Sequence, residues 1–403
     1  MTGAPGSRTP VVVLGATPWH AQWRRRQHLF SQLARLRPVY HLDPPVPPRH
    51  LGRGTVMLSS RAAVREGCRR DPSGVRVLSG PLGFPGERFA SGMRRLNARM
   101  QRHWIARCLC LLSRQQGVRR PILVCYDALL HPLPGEGVVA QRLFDLIDDY
   151  PARTPQCALR TVLEHRTQAL AAASDLTLVT NDHLAARVRA SARRIEYLPH
   201  GVDPDCFHPQ ADRGTSFAPL RTLPGIKAVY HGTLDQKLDE EILTALLQAG
   251  ITLLLAGERA WSARTLARLR RAGDLRDFGA LDRSRAAALV AAADVGILPY
   301  RAFAGCEGAE VLKRLEFFAA GLPVVASDIP PCRRHAEELI LAAGPADFVA
   351  GVRRAATEAT SDASSELPGE VPGKDGGRER RLAIARRNTW EQRARELDGW
   401  LVP

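Results

Sequence analysis

Residues 311–327 read VLKRLEFFAAGLPVVAS, and this stretch decides the fold. A helical pattern of apolar residues runs up to Gly321, where a glycine can end the helix, and Pro323 turns the chain into a short apolar strand. Lys313 and Glu316 stand three residues apart and therefore share one face near the start of that helix. A helix N-terminus beside a lysine suits an anion such as a diphosphate, and a carboxylate one turn on suits two sugar hydroxyls. The stretch therefore predicts a helix and strand that hold a nucleotide sugar.

Length and charge bound the class of protein. The chain has 403 residues, enough for two domains, and 45% of them are hydrophobic, which excludes a disordered chain. The formal charge of +16 comes almost entirely from arginine, which together with heavy alanine usage is typical of a GC-rich genome. The excess still favours an anionic partner. We expect a membrane surface rather than nucleic acid, because no zinc-finger, helix-turn-helix or aromatic RNA-binding signature occurs.

Cysteine usage and hydropathy indicate the compartment. The eight cysteines form no CxxC pair, which is typical of a reduced cytosolic protein. Residues 1–9 contain no apolar signal core, and no run of about 18 apolar residues occurs in the chain. We expect a cytoplasmic protein that associates at most peripherally with the inner face of the plasma membrane.

Short apolar runs alternate with longer amphipathic segments, which predicts parallel sheets covered by helices, an α/β fold. The predicted strands are 10–14, 38–42, 75–78, 121–126, 143–146, 176–180, 195–198, 227–231, 251–256, 275–278, 294–298, 323–326 and 339–342. Two doubly wound sheets follow, and the pattern breaks between them at 205–220. Ligands of such sheets bind outside the carboxyl ends of the strands, so a cleft between the two domains is the expected site.

Two loops that follow predicted strands are candidate ligand contacts. Gly15 and Thr17 follow the first strand, where backbone amides can face a ligand, although a plain strand-to-helix turn explains one glycine equally well. Gly232 and Thr233 follow the first strand of the second domain. There a glycine allows close backbone approach and Lys237 can reach a phosphate, unless that lysine is an ordinary surface residue.

Carboxylates follow two strands of the first domain. Asp127 can bind a sugar hydroxyl or act as a base, or it can cap the following helix, and the sequence favours neither. For Asp145, Asp148 and Asp149 capping is the favoured interpretation. Asp148 and Asp149 do not predict a metal site, because the sequence places no third ligand beside them.

Residues 93–120 hold eight arginines, no acidic residue and several large apolar residues. This composition fits a basic amphipathic helix lying on anionic lipid. It fits equally a surface helix whose apolar face packs on the sheet.

Several segments, in this order, resemble the retaining GT-B glycosyltransferases of family 4 and its group-1 relatives. Trp19 to Leu29 is similar to the opening of the teichuronic-acid and exopolysaccharide branch. Pro199 to Asp203, with Phe207 and Pro209 after it, resembles the interdomain signature of the family. Residues 293–300 and 311–327 resemble its donor half, and Asn388 to Glu391 resembles the helix that crosses back to the first domain.

The resemblance implies a GT-B architecture of two Rossmann-like domains that face each other across a cleft. It places an acceptor-side domain at 1–212, a nucleotide-sugar domain at 213–387 and a crossover helix at 388–403. Residues 357–381 are polar and low in complexity, and we expect a disordered loop there.

The resemblance also implies roles for individual residues. Glu316 would hold the donor ribose, Lys237 the diphosphate, and Lys313 would support the same phosphates. Many members carry a second glutamate eight residues before the ribose ligand, where this chain has Gly308. Glu307 or Glu310 would have to substitute in gripping the transferred sugar.

The activity implied is transfer of a sugar from a nucleoside-diphosphate sugar to a polysaccharide, lipid-linked or other glycan acceptor, with retention of configuration. Neither a metal nor a cofactor is expected, because lysines and helix amides can stabilise the leaving diphosphate. Asp127 is the expected contact of the first domain to the sugar or acceptor. Two alternatives stay open: a GT-B sugar-nucleotide epimerase, and a non-catalytic partner subunit of the same fold.

Overall fold

The computed structural model describes residues 8–20, 23–45, 61, 64–65, 69–81, 91–130, 132–134, 137–364 and 377–403. The chain divides into two compact units. Unit 1 comprises Met1–His200 with Trp390–Pro403, and unit 2 comprises Gly201–Thr389. The sequence places this boundary at residue 212. Residues 201–212 belong to unit 2, because Phe207 is buried in the core of that unit.

Strands and helices alternate along both units. The strands are β1 Val11–Leu14, β2 Val39–Leu42, β3 Arg69–Arg70, β4 Arg76–Leu78, β5 Ile122–Cys125, β6 Gln141–Leu146, β7 Leu176–Val179, β8 Ile195–Tyr197, β9 Lys227–His231, β10 Thr252–Ala256, β11 Leu275–Asp277, β12 Val295–Leu298, β13 Val324–Ser327 and β14 Ile340–Ala342. The α-helices are α1 Arg25–Leu33, α2 Ser91–Gln116, α3 Cys157–Ala173, α4 Asp182–Val188, α5 Glu240–Gln248, α6 Ala263–Ala272, α7 Arg283–Ala291, α8 Lys313–Ala319, α9 Pro330–Arg333, α10 Pro345–Ser364, α11 Gly377–Arg386 and α12 Trp390–Trp400. Short 3-10 helices cover Ala128–Leu130, Ala218–Thr222 and Cys306–Gly308.

Unit 1 is built on a sheet of order β3-β4-β2-β1-β5-β6-β7-β8. Its strands are parallel except for the β3 and β4 pair. The inner strands are apolar and β-branched and are buried on both faces, as expected for a parallel sheet covered by helices. The order reverses direction at β1, which places the loops after β1, β2 and β5 side by side at the carboxyl edge.

The long helix α2 packs its apolar face on this sheet. Trp104, Ile105, Leu109 and Leu112 are buried in one cluster with residues of β1 and β5. The packing interpretation of 93–120 is therefore correct for these side chains, which cannot insert into lipid while they form the core. Arginines remain exposed on the outer face of the helix, among them Arg99 and Arg107.

The last helix, α12, belongs to unit 1 and packs on α1. Trp390 is buried and stacks on His28 with ring centroids 5.3 Å apart. Arg37 donates from Nε to Asp398 over 2.6 Å, and Leu397 is fully buried. Helix α12 falls within the segment 388–403, where a crossover helix is expected, and the separate helix α11 precedes it.

Unit 2 is built on an entirely parallel sheet of order β11-β10-β9-β12-β13-β14. Aspartate and serine side chains begin its helices: Asp239 caps α5, Ser262 caps α6 and Asp282 caps α7. Leucines and alanines of these helices cover the sheet on both faces. The strands predicted from the sequence are confirmed in both units.

One expected loop is partly helical. The structure continues α10 through 357–364 and starts α11 at Gly377, so the two ends of the segment 357–381 are wrong as loop predictions. Residues 365–376 of that segment lie outside the described part of the chain. Alanine-rich sequence and packing of Phe348, Val352 and Ala355 on the sheet explain why the helix persists.

A membrane-spanning helix requires a long apolar stretch, and the helices within the described ranges include none.

Candidate functional site

Helix α8 and strand β13 form the helix–strand unit predicted from residues 311–327. The helix begins at Lys313 and ends as the glycine predicts, because Gly321 adopts φ 80°. The amide of Leu322 then donates to the carbonyl of Phe317 over 2.9 Å, which closes the helix with a Schellman motif. Lys313 and Glu316 therefore lie on one face of the N-terminal turn of α8.

The carboxylate of Glu316 lies between two nitrogen-bearing side chains. Lys313 Nζ donates to Glu316 Oε2 over 2.9 Å, and His231 Nε2 lies 3.0 Å from the same oxygen. His231 is the last residue of β9, so the site joins the carboxyl end of a central strand to the start of α8. Both contacts involve Oε2, which leaves Oε1 to accept hydrogen bonds from a ligand.

His231 has a defined tautomer in this arrangement. Lys313 Nζ lies 3.4 Å from His231 Nδ1, and an ammonium group can only donate, so Nδ1 accepts. The ring proton then sits on Nε2, which lies 3.0 Å from Glu316 Oε2 but is not aligned for a hydrogen bond to it. Burial, and then the charge of Lys313, lower the pKa of His231, which keeps the imidazole neutral. Phe207 stacks on the ring at 5.5 Å and Phe317 meets it edge-on at 5.6 Å.

Glu316 remains ionised although only 12% of its side chain is exposed. Burial would raise its pKa, but Lys313 and His231 together outweigh burial and hold the pKa well below the ordinary value. The site thus presents a fixed anionic acceptor beside a fixed cation. This pair can bind vicinal hydroxyls at the carboxylate and a phosphate at the ammonium.

Sequence reasoning missed His231. It lies in the predicted strand 227–231, but nothing in its sequence neighbours marks it as a site residue. The chain places it beside a helix that begins 82 residues later, and only the fold brings the two together. Its position as the last residue of a predicted strand was the available signal.

The loop after β9 makes an unusually close backbone approach. Gly232 adopts φ 145°, and Gly257, directly after β10, adopts φ 153°. A Cβ on Gly257 would lie 1.6 Å from the carbonyl oxygen of Gly232. Gly232 is therefore a point of close backbone approach, as expected, and the residue that it approaches is Gly257, which the sequence did not single out. Thr233 follows, its carbonyl oxygen 3.4 Å from the hydroxyl of Tyr230.

Lys237 lies in the loop between β9 and α5, with its side chain 41% exposed. Its Nζ is 3.7 Å from Asp235 and 5.8 Å from the ring centroid of Phe303. Among the described residues, Lys237 is not one of the side chains that contact Glu316.

Glu310 and Glu307, the two candidate substitutes for the glutamate replaced by Gly308, differ in burial and in ion pairing. Glu310 is nearly buried, and its carboxylate lies 2.6 Å from His335 Nε2 and 3.9 Å from Arg334. Glu307 is exposed in the 3-10 helix Cys306–Gly308, and only its backbone carbonyl accepts from Arg334, over 2.8 Å. Glu307 is therefore the carboxylate that can turn toward a ligand without breaking an ion pair.

In unit 1, the amide of Gly15 does not face a ligand. It donates to the carbonyl of Leu42 over 2.9 Å, which extends the pairing of β1 with β2. A Cβ at this position would lie 2.5 Å from the ring of His41, so this glycine serves packing. Thr17, two residues on, accepts a hydrogen bond from Arg26.

The carboxylates of unit 1 are engaged within the protein. Asp127 Oδ1 accepts from the amide of Leu129 over 2.9 Å and so caps the 3-10 helix Ala128–Leu130. Asp145 is fully buried and forms a two-point ion pair with Arg25. Asp148 lies 2.8 Å from Arg153, and Asp149 lies 2.9 Å from His183. Within the described ranges no group of three metal-ligating side chains occurs.

A family model described as glycosyl transferases group 1 matches residues 232–358. The matched segment begins at Gly232 and contains Lys237, Lys313 and Glu316. No curated protein matches the chain. The family match supports glycosyl transfer as the general class of activity.

Solved structures similar to this chain cover nearly all of it. Sucrose-phosphate synthase from Thermosynechococcus elongatus is 17% identical with a TM-score of 0.65, over 97% of this chain and 98% of that one. An alpha,alpha-trehalose-phosphate synthase (UDP-forming) from Burkholderia vietnamiensis is 14% identical with a TM-score of 0.60, over 97% and 98%. WaaG, a glycosyltransferase involved in lipopolysaccharide biosynthesis, is 14% identical with a TM-score of 0.59, over 96% and 98%. At these identities the likeness establishes the fold, which is GT-B.

Proposed function

We propose that this chain transfers a sugar from a nucleoside-diphosphate sugar to a glycan acceptor, with retention of configuration and without a metal ion. One observation carries the proposal: an ionised Glu316, fixed by Lys313 and His231, lies at the carboxyl edge of the unit 2 sheet. The family match over residues 232–358 supports the same class of reaction.

Glu316 takes the ribose of the donor in this proposal. Its Oε2 is occupied by Lys313 and His231, and its Oε1 accepts from the sugar hydroxyls. A carboxylate that stays ionised at any physiological pH is a stronger acceptor than a neutral group, since hydrogen bonds to charged groups contribute about 1.5–3 kcal/mol. Phe207 and Phe317 hold the ring of His231 beside this carboxylate.

Lys313 and Lys237 stabilise the diphosphate as it leaves. The bond between the anomeric carbon and the phosphate oxygen breaks while a bond from that carbon to the acceptor oxygen forms on the same face. The acceptor proton passes to the leaving phosphate oxygen, so no side chain is required as nucleophile. Two ammonium groups in the loop after β9 and at the start of α8 supply the positive charge that the leaving group needs.

Glu307 contacts the transferred sugar in place of the glutamate that Gly308 replaces. Its side chain is exposed, whereas the carboxylate of Glu310 is held by His335. A single exposed carboxylate selects for sugar hydroxyls but does not specify which sugar is carried.

The acceptor side belongs to unit 1, with Thr17 and Asp127 as contacts. We propose a polysaccharide or lipid-linked glycan acceptor at the cytoplasmic face of the membrane. The exposed arginines of α2 support this location, because they can attract anionic lipid headgroups without inserting apolar side chains.

A thermal-shift screen tests the donor assignment. The purified protein is melted alone and with UDP-, GDP-, ADP- and dTDP-sugars, because a ligand that binds only the folded state raises Tm. We expect at least one donor to raise the Tm of the wild type, and Glu316→Ala and Lys237→Ala to reduce that shift. The proposal is wrong if no donor shifts the wild type, or if both variants shift as much as the wild type.

A further inference from the structure

Two consecutive buried arginines open helix α1, and of the two only Arg25 forms an ion pair with a described residue. Arg25 is 3% exposed and Arg26 is 6% exposed. Arg25 Nε lies 3.1 Å from Asp145 Oδ2 and its Nη2 lies 3.2 Å from Oδ1, a two-point pair that neutralises both charges. Within the described residues, the guanidinium of Arg26 makes no ion pair.

The groups in direct contact with Arg26 are neutral, and the carboxylate of Asp43 attracts its charge without forming an ion pair within the described residues. Its Nη2 donates to the hydroxyl of Thr17, and its guanidinium carbon lies 5.3 Å from the ring centroid of Tyr126. Its Nε is buried and donates to no atom of the described residues. The nearby carboxylate of Asp43 accepts from the amide of Trp19 over 2.8 Å and lies 3.1 Å from His41.

A buried cation without a counter-ion is unfavourable, because the desolvation of the charge is not recovered. Burial lowers the pKa of Arg26, which reflects this imbalance, although a guanidinium stays charged at any physiological pH. The contacts with Thr17 and Tyr126 offset it only in part. Arg26 therefore keeps a buried donor, Nε, that an added anion would satisfy.

That place lies at the carboxyl edge of the unit 1 sheet. Thr17 follows β1 and Tyr126 follows β5, and these two strands pair with each other. The edge beyond them is where ligands of parallel α/β sheets bind. The hydroxyl of Thr17 accepts from Arg26 and therefore has its own proton to donate to a ligand oxygen.

We propose that Arg26 and Thr17 form an anion subsite in unit 1 that binds a phosphate or carboxylate group of the acceptor. This inference rests on the proposed function and specifies its acceptor: the molecule that receives the sugar is an anionic one. The forked guanidinium matches the planar or tetrahedral oxygens of such a group.

The same chemistry could come from the diphosphate of the donor. We assign the subsite to the acceptor because the donor residues Lys237, Lys313 and Glu316 all belong to unit 2, whereas Arg26 and Thr17 belong to unit 1. Binding of nucleoside diphosphates by Arg26 variants separates the two sources.

Calorimetric titration of the full chain tests the subsite. The probes are glucose 6-phosphate, glucuronate, inorganic phosphate and uncharged glucose, with UDP, GDP and ADP as donor probes. We expect the wild type to bind at least one anionic probe more tightly than glucose, and Arg26→Met to bind it at least about fivefold more weakly. Arg35→Met, which removes an exposed arginine of unit 1, should bind it as the wild type does.

Stability separates this subsite from a structural role for Arg26. Arg25→Met should lower Tm, because it strands a buried Asp145, whereas Arg26→Met should keep or raise Tm. Should Arg26→Met fail to fold, Arg26→Lys keeps the charge but not the fork and should still bind the anionic probe more weakly than the wild type.

The following outcomes would contradict the proposed subsite, its assignment to the acceptor, or the donor site. The subsite is overturned if the wild type binds no anionic probe more tightly than glucose, or if Arg26→Met and Arg26→Lys bind it like the wild type. The acceptor assignment is overturned if Arg26→Met weakens nucleoside diphosphate binding instead. If Glu316→Gln leaves nucleoside diphosphate binding unchanged, the donor site fails rather than the anion subsite.

Discussion

Glu316 and Arg26 illustrate two outcomes of burying a charge. Glu316 has two partners within 3.0 Å, and their combined effect exceeds the desolvation that would protonate it. Arg26 has no acid partner among the described residues and cannot release its proton. A satisfied buried charge presents a rigid acceptor to a ligand, whereas an unsatisfied one attracts an anion.

The neutral state of His231 makes unit 2 sensitive to acid. The pKa of His231 is lowered from its ordinary value of 6.5, so below that pH the unfolded chain binds more protons than the folded chain. Stability therefore falls as pH drops from 6.5 toward the lowered value, by up to about 1.4 kcal/mol per pH unit for one proton. The contribution of Glu316 is present above its unfolded pKa and is lost only at lower pH, as pH falls through its lowered pKa.

Thermal melting at pH 7.5, 6.5 and 5.5 measures this effect. We expect His231→Asn to lose less Tm than the wild type between pH 6.5 and 5.5. His103→Asn, which changes an exposed histidine, should follow the wild type. His41, which is buried and also has a lowered pKa, stays in all three proteins and contributes the same slope to each. Equal slopes for wild type and His231→Asn would contradict the neutral assignment.

At the scale of elements, two glycines allow the ends of β9 and β10 to approach. A methyl group on Gly257 meets the backbone oxygen of Gly232 at 1.6 Å, and a backbone cannot yield as a flexible side chain can. We expect Gly257→Ala to destabilise unit 2 by about 2 kcal/mol or more and to weaken nucleotide binding, because the loop that carries Lys237 must shift.

Chemical denaturation followed by nucleotide titration checks that prediction. Gly344→Ala is the matched control, since a Cβ there meets nothing within 4 Å. A Gly257→Ala protein as stable as the Gly344→Ala protein would show that the close approach is not required.

Helix α12 should be essential to unit 1. Trp390 is 3% exposed and is flanked by His28 and His200. Truncating a buried tryptophan costs about 3–5 kcal/mol, so Trp390→Ala should strongly lower the Tm of unit 1. Trp23→Ala, at a tryptophan that is 45% exposed, should change Tm little. Equal Tm values for the two variants would place α12 outside the folding unit.

The strands were predictable because their signal is local. Runs such as Val11–Leu14 and Val324–Ser327 are short, apolar and β-branched, which needs no tertiary information. The start of α8 at Lys313 and the extension of α10 through 357–364 were less predictable, since packing on the sheet decides where a helix frays.

At the scale of the whole molecule, the donor residues were partly predictable. Lys313 and Glu316 are neighbours in sequence, so helical spacing brings them together. His231 and Gly257 depend on which strands are adjacent, and Arg26 depends on which acids its neighbours have already taken. The sequence pattern within a single segment does not reveal these contacts between distant residues.

The surplus of arginine has a structural explanation in only some cases. Arg25 and Arg314 are buried and neutralised by Asp145 and Glu338. Arg26 is buried and forms no ion pair within the described ranges, and arginines of α2 lie exposed. The net charge of +16 therefore reflects sites of different kinds rather than one basic surface.

Release of nucleoside diphosphate tests the central claim most directly. Three proteins are compared: the wild type, Glu316→Gln, and the control Glu358→Gln, which changes an exposed glutamate of α10. Each is incubated with UDP-, GDP-, ADP- and dTDP-sugars as donors and with glucose 6-phosphate, glucuronate or glycans as acceptors. Phosphorus NMR follows the reaction. We expect the wild type and Glu358→Gln to release nucleoside diphosphate from at least one donor, and Glu316→Gln to be at least about tenfold slower, a difference of about 1.4 kcal/mol. Release by Glu316→Gln at the wild-type rate, or no release by the wild type from any donor, would contradict the account.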